Sequence, residues 1–247
     1  MIAAARAAGV ERFLVPGWDA DSSLLSAAMA AASDIDASAG IHPHGAAQAT
    51  DADWALIERL ARLPRVVAIG ETGLDYDRGF SPREVQLANL RRHLTLARDT
   101  GKPLILHCRS KPTERDAQDD LIRELVAAGA GSAKWLTRDG RPPALLHSFS
   151  GPADYAEAAL LLELAISFSG LAFRAGEEVS AHVARIVPAD RLLAETDSPY
   201  LSPPGASRPR NEPRWVEVTT RWLAEVREIS PDALGEQLVA NYDRIFR

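Results

Sequence analysis

Four short apolar runs in this chain each end on an acid or a histidine, and helix-patterned segments separate them. VVAIG runs into Glu71, LIL into His107, ALL into His147, and LLAET into Asp197. Runs this short, apolar throughout, suit strands buried on both faces, as in a parallel sheet covered by helices. Further strand candidates lie at residues 12–16, 35–41 and 165–168. With 66–70, 103–107, 144–147 and 192–196 they make seven. Between them, Leu56, Leu60 and Leu63 fall on one helix face, as do Leu87, Leu90, Leu94 and Ala97, and Trp215, Val218, Trp222 and Val226. Start signals stand at Asp53, at Ser81-Pro82 and at Ser230-Pro231. Strand–helix alternation of this kind predicts an α/β fold with a parallel sheet.

A (β/α)8 barrel takes about 250 residues, and the 247 residues here suit one such domain spanning 1–247. A closed barrel has eight strands. The sequence instead opens inside a helix, residues 2–8, which Gly9 ends. Strand one of the pattern is therefore missing: either the sheet has seven strands, or the sequence begins after the first. Two long loops are expected, 129–143 and the Pro-rich 202–213.

In a parallel barrel the active site forms at the carboxyl ends of the strands. Glu71, His107, His147 and Asp197 all fall there. One such residue means little, because a lone strand histidine is usually a core residue with its hydrogen bonds met. Two carboxylates and two imidazoles together have the composition of a divalent-metal site. Glu71 has the two oxygens needed to bridge two cations. Asp197 is the candidate for accepting the proton of an attacking water. His42 and His44 follow another strand; the proline between them makes a turn, which favours substrate contact over metal ligation. Asp75 is read as orienting a ligand or capping a turn. Arg109, two residues past His107, suits a phosphate or carboxylate. Arg78, Arg83, Arg208 and Arg210 are candidates for a basic rim. Asn211-Glu212-Pro213 reads as a helix cap.

The formal net charge is −6, with no basic block of the kind that drives non-specific binding to duplex DNA. Cys108 is the one cysteine, so no internal disulfide forms, which fits a reducing cytoplasm. No apolar stretch approaches the ~20 residues of a membrane-spanning helix, and the Ala-rich start lacks a signal-peptide pattern.

At these residues the chain resembles the TatD-related deoxyribonuclease family of metal-dependent hydrolases, over nearly its whole length. The matching pieces are Gly40-Ile41-His42-Pro43-His44, Gly70-Glu71-Thr72-Gly73-Leu74-Asp75-Tyr76, Pro103-Leu104-Ile105-Leu106-His107-Cys108-Arg109, His147-Ser148-Phe149-Ser150-Gly151 and Glu195-Thr196-Asp197-Ser198-Pro199-Tyr200-Leu201. Asn241-Tyr242 and Ile245-Phe246 match its last helix. The resemblance implies a TIM barrel holding two divalent cations, Mg²⁺, Mn²⁺ or Zn²⁺. Glu71 would bridge them, His107 and His147 would serve one, and Asp197 would serve the other and take the proton from water. It implies a 3'-5' exonuclease acting on DNA, on single strands or 3' ends. There are two departures. No strand with the family's opening His-x-His pair precedes Ile2, and residues 110–120 carry an extra Lys-Pro-Thr-Glu. Two other readings stand beside it. One is a barrel hydrolase of a small-molecule amide or ester, weakened because no lysine takes Glu71's place. The other is a non-catalytic member that lost its first metal site.

Overall fold

The computed structural model describes residues 1–132, 140–206 and 210–247. Seven parallel strands form one curled sheet in chain order: β1 (Leu14–Val15), β2 (Asp36–Ala39), β3 (Val66–Asp75), β4 (Leu104–Arg109), β5 (Ala144–Leu146), β6 (Ala165–Phe168) and β7 (Leu192–Ala194). Parallel neighbours need crossover connections. These carry α2 (Ala20–Ala32), α3 (Asp51–Leu60), α4 (Arg83–Thr100), α5 (Asp116–Ala127), α6 (Ala153–Leu161) and α7 (Val179–Ile186). Helix α1 (Ile2–Ala7) precedes the sheet, and α8 (Val216–Val226) and α9 (Pro231–Phe246) follow it. The result is an α/β, TIM-barrel-like fold, seven strands of which lie among the described residues.

Side-chain alternation along the strands divides the core. Leu104, Leu106, Leu146, Ile166 and Leu192 pack outward against Leu87, Leu90, Leu121 and Leu125 of the helices. Val67, Ile105, Leu145 and Leu193 face inward, against Tyr242, Ile245 and Phe246 of α9. His107 lies two residues beyond Ile105, His147 two beyond Leu145, and Glu195 two beyond Leu193. The inward apolar layer is thus a floor, and the chemistry sits on the next layer up.

Several local expectations are corrected. The cap of α3 is Thr50, whose hydroxyl accepts from the Asp53 N–H; Asp53 is its reciprocal partner three residues in. Ser81 does not cap α4. Its hydroxyl donates to the His44 carbonyl and accepts from the Ala47 N–H, joining two loops. Strand β3 does not stop before Glu71 but runs through it to Asp75. The first strand is two residues long rather than five. Ser230 does cap α9.

Candidate metal centre

Backbone geometry delivers Glu71 to the centre. Its N–H donates to the Gly17 carbonyl beyond β1, at 2.7 Å. The strand can turn there because nothing but hydrogen stands on its glycines. Gly70 and Gly73 sit at φ +137° and +135°. A Cβ on Gly73 would lie 1.9 Å from the His107 carbonyl oxygen. β3 and β4 therefore approach more closely here than side chains permit.

One oxygen of Glu71, Oε1, is the hub. His147 Nε2 stands 2.8 Å from it, His42 Nε2 3.1 Å and His107 Nδ1 3.2 Å. His107 and His147 each have a carboxylate on the far side, while His42 Nδ1 accepts from the His44 N–H at 3.1 Å. His107 Nε2 is 3.1 Å from Asp75 Oδ2, and His44 Nε2 is 2.7 Å from the same oxygen. His147 Nδ1 is 3.2 Å from Glu195 Oε1, while Glu195 Oε2 accepts from the Ser167 hydroxyl at 2.6 Å. Donor atoms of Glu71, His107 and His147 form one compact group, and those of His42, His44 and His107 another. Imidazole nitrogens gathered around carboxylate oxygen fit a divalent cation, and the carboxylate behind His107 and behind His147 is the usual way such a ring is oriented.

The electrostatics follow from burial and proximity. Burial raises the Glu71 pKa, but the His147 charge and hydrogen bonds from His107, His147 and His42 outweigh it and hold the carboxyl well below its usual range. Burial lowers the His147 pKa, yet Glu71 and Glu195 carry it well above the ordinary value. His107 is raised in the same way by Asp75 and Glu71. His42 goes down, to about 4, because its burial exceeds what Glu71 returns. A cation among these atoms would replace the protons that the rings now share.

Asp197 stands slightly apart, outside both compact groups. It has a left-handed φ of +54°, a conformation Asp tolerates better than most residues. Burial, helped by Glu195 and Glu71 and opposed by His147, lifts its carboxyl to about 6. Asn211 holds this loop, its side-chain amide donating to the Thr196 and Tyr200 carbonyls at 2.8 and 2.6 Å. Asn211 therefore ties the Asp197 loop rather than capping the helix that follows.

The structure brings Glu71, His107, His147 and Asp75 together and adds His42, whose place beside Glu71 puts it among the ligand candidates rather than only near substrate. Asp75 makes the contacts that both expected roles require. Its Oδ1 accepts from the Asp77 and Arg78 N–H groups of a turn, and its Oδ2 faces the histidines. Arg109 lies 3.8 Å from Asp75 Oδ2 at the mouth. Arg83 pairs with the buried Asp120 and stacks over Tyr76. Arg78 is exposed and pairs with Asp77. Arg210 is exposed, and Arg208 lies outside the described residues. The sequence reading missed Glu195. Its signal was alternation: two residues before Asp197, it shares that inward face.

A family model described as TatD related DNase matches residues 1–247. The chain is 36% identical over 251 residues to a protein of Erwinia billingiae named 3'-5' ssDNA/RNA exonuclease TatD, covering 98% of this chain and 90% of that one. It is 32% identical over 250 residues to a Bacillus subtilis protein named uncharacterized metal-dependent hydrolase YabD, covering 100% and 91%. Among solved structures it superposes on the TatD homologue YJJV of Escherichia coli with a TM-score of 0.85 at 27% identity, over 99% of this chain and 89% of that one.

Proposed function

The chain belongs to the TatD-related DNase family and is a metal-dependent hydrolase; from that premise we propose that it removes nucleotides from the 3' ends of single-stranded DNA. The observation that carries the reading is Glu71 Oε1 lying within 3.2 Å of three imidazoles. The name of the Erwinia billingiae relative supports the substrate class. Bound divalent cations supply a lowered pKa for water and offset charge on phosphate oxygens.

The residues divide the remaining work. Glu71 stays anionic at neutral pH because the surrounding rings stabilise its charge, so it can share its oxygens between cations. His107 and His147, steered by Asp75 and Glu195, present one nitrogen each to the centre. Asp197, whose carboxyl burial lifts in the metal-free protein, would be ionised beside bound cations and placed to take the proton of the attacking water. Arg109 holds a non-bridging phosphate oxygen at the mouth.

A 5'-labelled single strand incubated with protein and Mg²⁺, Mn²⁺ or Zn²⁺ is expected to shorten stepwise from its 3' end, and to stay whole with chelator. An intact strand under all three metals, with a small amide or ester cleaved instead, would overturn the reading.

A further inference from the structure

Among the described residues three aromatic side chains are exposed: Trp18 at 54%, Phe80 at 62% and Tyr200 at 70%. All three sit on loops that leave the carboxyl ends of strands, after β1, β3 and β7. Each is joined to a residue of the candidate centre. The Trp18 carbonyl accepts from the His42 N–H at 2.8 Å, and the Tyr200 N–H donates to the Asp197 carbonyl at 2.8 Å. The Phe80 ring lies edge-on to the His44 ring, centroids 4.8 Å apart. Scattered exposed apolar residues need no explanation. Here every exposed aromatic among the described residues borders one site, while those elsewhere in the fold are at least partly buried.

We propose that Trp18, Phe80 and Tyr200 form the platform on which bases of a single strand stack as its end enters the centre; this rests on the nuclease reading above. Charge makes stacking necessary. A chain of net charge −6 without a basic block gains little from phosphate contacts. Stacking on aromatic faces is worth about 1–3 kcal/mol per base and tolerates any sequence. Duplex ends, whose bases are already stacked on each other, gain nothing from such a platform, so single strands are preferred.

The test compares labelled oligothymidylate with an abasic strand of equal length, bound in chelator so that nothing is cleaved, and followed by anisotropy. Wild-type protein is expected to favour the base-bearing strand. Trp18→Ala, Phe80→Ala and Tyr200→Ala should each weaken its binding by about 5-fold or more, leaving abasic binding as it was. Phe80→Trp should keep the preference, and Phe80→Leu should lose it, separating a ring face from mere apolar cover. All sit in exposed positions, so the variants should fold, as circular dichroism will verify. Equal binding of the two strands by wild type, or an unchanged preference in the alanine variants, overturns the platform; if metal-loaded wild type still shortens DNA, the nuclease reading survives. Failure to bind either strand also overturns the platform, while the nuclease reading stands or falls with cleavage by metal-loaded protein.

Discussion

Asp197 shows how one side chain's environment points to chemistry. Its carboxyl is lifted from an ordinary 3.8 to about 6 mainly by burial. A raised folded-state pKa favours the neutral form. The stabilising contribution is therefore complete below the unfolded value and is lost as pH rises through about 6. In metal-free protein above that pH the buried charge costs at most about 3 kcal/mol. Asp197→Asn should then stabilise chelated protein by on the order of 2 kcal/mol above about pH 7 and by almost nothing below about pH 4, measured by urea denaturation. The same variant should lose turnover with metal. Unchanged activity would remove Asp197 from the chemistry, and no pH-dependent gain would mean its charge is solvated. His93 is the contrasting case. It is fully buried with a pKa lowered to about 4 by burial, its Nε2 accepts from the Ile41 N–H, and its Nδ1 lies 2.8 Å from the Asn89 carbonyl. It braces the segment leading to His42 and has no part in the centre. Both are titratable and shielded from water; among the described residues no hydrogen bond is donated to the Asp197 carboxylate.

At the scale of elements, strand bodies were legible and strand ends were not. Apolar runs located all seven strands because burial on both faces demands them. β3 outran its apolar run because Thr72, Gly73 and Asp75 read as loop residues, whereas here the glycines allow close approach to β4 and Asp75 is fully buried. The same pattern hid His42: Pro43 marked a turn, and only the curl of the sheet sets that turn against Glu71. Glu195 was hidden because its partner, His147, is far away in sequence. The glycine contact makes a sharp prediction. Gly73→Ala must push β4 away or distort a backbone at φ +135°, costing about 2–4 kcal/mol and shifting His107. Gly79→Ala, also at positive φ but with open space around its added carbon, should cost only about 1 kcal/mol. Guanidinium unfolding checks both. Equal losses would show that backbone conformation alone, not the β3–β4 approach, sets the demand on Gly73.

Across the whole molecule the two edges of the sheet are tied from below the centre. β1 and β7 are the two edges of the sheet among the described residues, and α9 spans the inner face from one side to the other. Tyr242 donates to buried Asp36 at 2.8 Å, Arg247 pairs with the same carboxylate at 2.9 Å, and Arg12 pairs with Asp243 at 2.7 Å. Below the site, then, the ends of the chain are tied by α9. Above it, Glu71, His107 and His147 come from β3, from β4 and from just beyond β5, neighbouring strands that already pair, and metal-free their side chains meet through shared protons. A cation held by all three stabilises the folded form alone, because the unfolded chain scatters its ligands. At a hundredfold excess over its dissociation constant that linkage amounts to about 2.7 kcal/mol, or a rise in Tm of roughly 5–11 °C for a chain of this size. Mn²⁺ or Zn²⁺ should produce the shift in differential scanning fluorimetry, and His147→Ala should largely remove it. The shift should also shrink as pH falls. The carboxylates hold His107 and His147 protonated to higher pH than free imidazole, so protons compete with the cation where they would not for an isolated histidine. A metal-induced rise of equal size in His147→Ala, or one indifferent to pH, would place the stabilising cation somewhere other than on these rings.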